Sequence, residues 1–364
     1  MILKRVESSI NDKPIKILEY SSFVNSNIIL ASETNLVYRV DLRDGNTVAL
    51  KTFKSDVSHY YEDPFDGFIR EVKINNMIAY HENIIKFLGI TKDPKDKYFM
   101  VHEFASNGDL QSYLNTHHNL DWLTKVNMAK DISNGIEHLH NAIIVHRDLH
   151  DRNILVHSDG RLVIADFGIS KRLGDDTVSI SAGRYAYLAP ECLQDHNFKR
   201  GKPCDIYSLG MLFWEISSGI SPLNGKEKIE IYQCVVDRGE RELPIDGTPS
   251  DYISLYRNAR NGDSELRPGI AAIQRILDKV IERLLKLSEH QSALSGLNVS
   301  ELKTRGESYF NEEKFDEALI YLNKSLEINP NDALTSFRCG EANRRINYLE
   351  KSLENYNIVE LHIS

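Results

Sequence analysis

The sequence predicts an α+β chain, with a small β-rich front segment, a mainly helical rear segment and a helical-hairpin repeat at the C-terminal end. Three observations predict it. Residues 28–31, 36–41 and 47–53 read as short strands, with Asp44-Gly45-Asn46 as a hairpin turn between the last two. Farther on, Leu123, Val126, Ala129, Ile132, Ile136 and Leu139 recur near helical spacing, and residues 205–214 are apolar on nearly every side of a helix, as a core helix must be. In the tail, Leu302, Gly306, Tyr309, Ala318, Leu322 and Pro330 fall in the register of a two-helix repeat.

The bulk numbers narrow the function classes. A chain of 364 residues suggests roughly two domains. Hydrophobic content of 41% beside 27% charged residues is ordinary for a soluble globular protein. The net charge of -9 argues against a broad nucleic-acid footprint, which needs a basic face. No apolar run approaches the ~18 residues that span a bilayer, and the first residues lack the apolar core of a secretory signal, so a membrane anchor is not expected. The cysteines, Cys192, Cys204, Cys234 and Cys339, show no metal-type spacing and read as free thiols in a reducing compartment. A cytoplasmic location is the expectation.

The chemistry concentrates in residues 143–168. An apolar run, 143–145, turns abruptly polar at His146-Arg147-Asp148. Asn153 follows five residues after Asp148, then the apolar run 154–156, a turn at Ser158-Asp159-Gly160, and a strand over 162–164 leading into Asp166-Phe167-Gly168. Two carboxylates and an amide are thus held at the ends of buried strands. Their oxygens are the ligands that Mg²⁺ prefers. This series resembles the catalytic and metal-binding core of the eukaryotic-type protein kinases, in their tyrosine-kinase-like branch.

The resemblance implies a bilobal kinase fold over 20–285: a β-rich N-lobe over about 20–101, a hinge at 102–108 and a helical C-lobe over 109–285. It implies ATP and Mg²⁺ as cofactors, with Asp148 as catalytic base, Asn153 and Asp166 on the metal, and Lys51 on the α- and β-phosphates. Lys51 stands in the third strand, in Val48-Ala49-Leu50-Lys51. A lone strand lysine is more often solvated; flanked by apolar residues, its head group needs a partner. Phe65, Phe68, Ile69 and Val72 mark a helix over 65–79, and Glu71 at the edge of that stripe matches the family's partner for the lysine. By the same match, Leu30, Val37, Ala49 and Leu155 surround the nucleotide, Glu103 and Ala105 offer hinge backbone groups to the adenine, and Asp109 meets the ribose. His102 stands where the family controls access to the rear pocket.

One segment departs from the pattern. The three glycines that fold the first hairpin over the phosphates are replaced by Leu30, Ser32 and Asn35. Glycine serves there because the missing Cβ lets backbone N–H groups approach the phosphate. The departure keeps a second expectation open, a pseudokinase scaffold that binds partners without phosphoryl transfer.

The rear segment carries further landmarks. Residues 169–188 form a loop rich in hydroxyls and charge, ending at Ala189-Pro190-Glu191. Thr177, Ser179 and Ser181 are candidate phosphorylation sites, where an added phosphate would pair with Arg147; plain exposed hydroxyls are the equal alternative for each. Asp205 matches the buried aspartate that holds the catalytic-loop backbone, and Arg267 the arginine that pairs with Glu191. For the acceptor, His150 stands where Ser/Thr kinases place lysine and Arg152 where tyrosine kinases often place arginine; the branch as a whole favours Ser/Thr.

Residues 286–297 read as a polar linker, and 298–364 resemble a tetratricopeptide-type repeat tail suited to protein partners. Gly306 and Ala318 let two helices cross closely, while Tyr309 and Leu322 fill the gap. A second repeat opens near Ala333 and then fades. One and a half repeats do not bury their own apolar faces, so the tail is expected to pack on the back lobe or on another chain, or to be a remnant of a longer array. The partners expected are a protein substrate and a protein bound by the tail.

Overall fold

A computed structural model describes residues 15–31, 35–53, 64–78, 80–168, 170–172, 185–195 and 197–360. The chain divides into two compact units: residues 1–120, 127–246 and 256–274 form the first, and residues 121–126, 247–255 and 275–364 the second.

The first unit opens with a five-stranded antiparallel sheet of strands β1 (Phe23–Ala31), β2 (Asn35–Leu42), β3 (Thr47–Phe53), β4 (Phe87–Lys92) and β5 (Tyr98–Glu103), in the order β1-β2-β3-β5-β4. Strand periodicity sorts its side chains onto two faces. Val40, Val48, Leu50, Phe99 and Val101 form a buried cluster on one face. On the other face, Val37 pairs with Lys51, Lys51 with Met100 and Ala49 with His102. Helix α1 (Pro64–Met77) covers that side, packing Phe68, Ile69 and Val72 on Ile90 and Met100.

Residues 15–18 line the sheet edge. Ile17 bridges to Ile90, and Gly89 (φ +137°) makes room for it, because a Cβ there would lie 2.1 Å from the Lys16 carbonyl oxygen.

The rest of the first unit is mainly helical. Helix α2 (Leu110–Thr116) starts on an Asp109 cap, whose side chain accepts from the Ser112 N–H. Helix α3 (Trp122–Asn141) leads to short paired strands: β6 (Ile144–Val145) with β9 (Lys171–Arg172), and β7 (Ile154–Val156) with β8 (Leu162–Ile164). The expected turn joins β7 to β8 with Gly160 at φ +85°. Helix α4 (Pro190–Gln194) precedes α5 (Lys202–Ser218), which is buried from Cys204 to Ser217 and matches its all-round apolar sequence. Helix α6 (Lys228–Tyr232) follows, and α7 (Ser250–Ala259) has its first residues, 250–255, in the second unit.

Within the second unit, Trp122 meets Tyr252 edge-on. Helix α8 (Ile270–Ser292) corrects one expectation: residues 286–292, read as linker, are helical. Leu287 and His290 prolong the half-buried stripe of Arg283 and Leu284, and a Glu282–Lys286 ion pair one turn apart supports the exposed side. Helices α9 (Val299–Asn311) and α10 (Phe315–Ile328) form the expected hairpin, with α11 (Ala333–Glu360) after it. Asn298 and Glu301 form a reciprocal cap at the start of α9. Leu302, Ala318 and Leu322 are buried, and a Cβ on Gly306 would lie 2.5 Å from Leu322 Cδ2, so the helices cross as closely as the small residues predict. The hairpin lies against the end of α8: His290 Nδ1 is 3.1 Å from the Tyr321 hydroxyl, and Tyr309 stacks on Tyr321. Arg283 pairs with Asp251 and with Asp316.

Candidate active site

Lys51 leaves β3 on the face that α1 covers. Its Nζ lies 2.7 Å from Glu71 Oε1 on α1 and 2.7 Å from Asp166 Oδ1 after β8. Burial lowers the Lys51 pKa, but the Asp166 and Glu71 carboxylates outweigh it and raise the value overall. Asp166 is also pushed up by burial, yet the Lys51 ammonium and the Gly168 N–H hold it below the usual carboxylate range. Glu71 is the more enclosed partner; burial, which outweighs Lys51, raises it to about 7.

The 146–153 segment is built on Asp205 of α5, which is 1% exposed. Its Oδ2 accepts from the His146 N–H at 2.9 Å and its Oδ1 from the Arg147 N–H at 2.9 Å, while His140 Nε2 lies 3.0 Å from Oδ2. This brace holds Arg147 at φ +71°, a region costly for a residue with a side chain. Asp166 shares that strain at φ +63°. His146 is fully buried, within 3.2 Å of the Ala165 carbonyl oxygen and edge-on to Phe167.

Asn153 donates through Nδ2 to the Asp148 carbonyl oxygen at 2.8 Å, which fixes the amide orientation. Its backbone carbonyl accepts from the Ala165 N–H at 2.8 Å, so the Asp148–Asn153 loop and the Asp166 segment are joined directly. His150 Nε2 lies 3.9 Å from Asp148 Oδ2, and its Nδ1 accepts from the Arg152 N–H.

The hinge residues are tied to β7. Asn107 N–H donates to the Val156 carbonyl, Val156 N–H to the Gly108 carbonyl, and Asp109 bridges to Leu155. Glu103 N–H donates to the Lys86 carbonyl and its carboxylate accepts from the Lys86 N–H. Ala105 is buried beside them in sequence. Val37 and Ala49 share the Lys51 face, and Leu30 pairs with Val37 across β1 and β2. Ser32 lies outside the described residues, as do Thr177, Ser179 and Ser181. Arg267 and Glu191 form a bidentate pair, with both N–H···O distances 2.7 Å.

Asn75 escaped the sequence reading. It lies one turn beyond Glu71 on α1, donates through Nδ2 to the Glu71 carbonyl at 2.9 Å, and presents Oδ1 to His102 Nε2 at 3.4 Å. The signal available was a buried polar residue in register with the apolar stripe of Phe68 and Val72.

The oxygen donors fit a hard divalent cation. Asn153 has its Nδ2 engaged, leaving Oδ1 as its remaining side-chain donor, and Asp166 keeps a partly exposed carboxylate held ionised by Lys51.

Comparison with known proteins agrees with this geometry. The family described as protein tyrosine and serine/threonine kinase matches residues 32–277, and the tetratricopeptide repeat family matches 299–332. The chain belongs to the protein tyrosine and serine/threonine kinase family. It is 30% identical over 261 residues to a probable LIM domain-containing serine/threonine-protein kinase of Dictyostelium discoideum, covering 71% of this chain and 39% of that protein. It is 30% identical over 247 residues to the tyrosine-protein kinase Abl of Drosophila melanogaster, covering 66% and 15%. A serine/threonine/tyrosine-protein kinase of Arabidopsis thaliana is 29% identical over 252 residues, covering 67% and 63%. The chain thus spans less than two thirds of the length of each of these relatives.

Proposed function

We propose that the chain transfers the γ-phosphoryl group of Mg-ATP to a protein hydroxyl, with serine or threonine preferred, and that its repeat tail binds a protein partner. The observation that carries the reading is the convergence of Lys51, Glu71 and Asp166 through two contacts of 2.7 Å, with the Asp148–Asn153 loop joined to the Asp166 segment. Metal-bound ATP supplies an activated phosphoryl group whose charge the metal neutralises. Asp166 and Asn153 would hold the cation. Lys51, oriented by Glu71, would steady the phosphates. Asp148 would orient the acceptor hydroxyl and accept its proton. Val37, Ala49 and Leu155 would line the base, with Glu103 and Ala105 at its hinge edge and Asp109 near the ribose. A phosphate on Thr177, Ser179 or Ser181 would find its counter-charge at Arg147. A cytoplasmic setting follows the cysteine usage; among the described residues no helix is long and apolar enough to cross a membrane.

Leu30, Ser32 and Asn35 favour the second reading, a scaffold that grips phosphate poorly, since each carries a Cβ where close backbone approach is needed. Purified full chain, Mg-ATP and a generic acceptor protein test the choice. Label transfer that disappears in Asp148→Asn supports the kinase; transfer no greater than that of the variant supports the scaffold.

A further inference from the structure

His102 and Asn75 are both buried, at 7% and 6% exposure, in a region otherwise packed with Phe68, Ile69, Val72 and Met100. Two polar side chains in such a place cost free energy unless they satisfy one another. They do so in a chain of contacts. His102 Nε2 faces Asn75 Oδ1 at 3.4 Å; Asn75 Nδ2 donates to the Glu71 carbonyl at 2.9 Å; and Glu71 Oε1 receives Lys51 Nζ at 2.7 Å. Asn75 uses its acceptor toward β5 and its donor toward its own helix, so the amide orientation is defined at both ends. Phe87 packs against the His102 ring at 5.5 Å between centroids and limits its rotation. Burial and the nearby Lys51 ammonium hold His102 down to about 3, so the ring is neutral; the tautomer with its proton on Nε2 is the one that satisfies Asn75 Oδ1.

We infer that His102 and Asn75 form a polar clasp between β5 and α1 that positions Glu71 for Lys51. The two are positioning residues: neither touches a reacting atom, and both act through Glu71. The consequence for turnover rests on the phosphotransfer reading; the hold on α1 does not.

Hydrogen exchange on the full chain tests the inference, read over residues 64–78 with α5 as internal reference. Breaking one buried neutral hydrogen bond accelerates exchange by on the order of 2–10-fold. His102→Phe and Asn75→Leu are each expected to accelerate exchange in α1 and leave α5 unchanged. The double variant is expected to exchange no faster than the faster single, because either change alone removes the contact. His102→Gln, which keeps a donor near Nε2, is expected to stay within about 2-fold of the parent chain, for less than half a kcal/mol is then lost. Should His102→Phe fail to fold, Asn75→Ala gives the same reading. Unchanged α1 exchange in the Asn75 variants, or His102→Gln behaving like His102→Phe, overturns the clasp. Accelerated exchange with no transfer by the parent chain supports the clasp while removing the kinase reading.

Discussion

Lys51 and Asp166 are 115 positions apart in the chain, and Lys51 Nζ lies 2.7 Å from Asp166 Oδ1. The same nitrogen is 2.7 Å from Glu71 Oε1, so one ammonium joins a strand, a helix and the segment after a hairpin. Lys51→Met removes the ammonium that faces both carboxylates. Phosphoryl transfer is expected to fall by at least 100-fold, or about 2.7 kcal/mol of transition-state stabilisation, measured as kcat/KM for ATP. Transfer within 10-fold of the parent chain would contradict the assigned role.

Neutral His102 gives a pH prediction with a definite sign. Its folded pKa, about 3, lies below its ordinary value of 6.5. Between those values the unfolded chain binds the proton and the folded chain does not, so stability from this group is full above 6.5 and is lost as pH falls toward 3. The slope is about 1.4 kcal/mol per pH unit. Urea denaturation from pH 7 to pH 4.5 is expected to show a shallower acid loss in His102→Phe than in the parent chain. Equal slopes would contradict the buried neutral ring.

The front-lobe strands and the residues that meet at Lys51 were legible because their constraints are local: a lysine inside an apolar strand, a turn between strands, carboxylates following buried runs. Asp205 was legible as well, since a charged residue inside an all-round apolar helix must have a reason. Asn75 was not, nor was the contact that His102 makes with it, because that contact spans 27 positions between a helix and a strand. The linker was misread because Lys286, Ser288 and Glu289 look polar singly, while Leu284, Leu287 and His290 keep the helical stripe. Residues 15–18 carry no period of their own; the edge of β4 makes them a strand-like pairing.

Arg267 and Glu191 form a second long-range pair, with the arginine side chain 1% exposed. Arg267→Ala leaves a partly buried carboxylate without its counter-charge, for a loss of about 3–5 kcal/mol. Chemical denaturation monitored by Trp214, which is buried in α5, measures it. A loss under about 1 kcal/mol would reduce the pair to an ordinary surface bridge.

The tail offers a test independent of phosphoryl transfer. Gly306→Val places atoms where Leu322 already packs, since even a Cβ would be 2.5 Å from Leu322 Cδ2. Overpacking of this kind costs about 1–3 kcal/mol. Limited proteolysis is expected to cut residues 299–332 faster in the variant. An unchanged cutting rate would contradict the close crossing of α9 and α10.

The central claim is that Lys51, Asn153 and Asp166 together hold a metal-bound triphosphate. Calorimetric titration of ATP with and without Mg²⁺, on the parent chain and on Asp166→Asn, tests it most directly. The account predicts that Mg²⁺ tightens ATP binding by at least 10-fold in the parent chain and has little effect in the variant. ATP affinity that is absent, or equally indifferent to Mg²⁺ in both proteins, would contradict it.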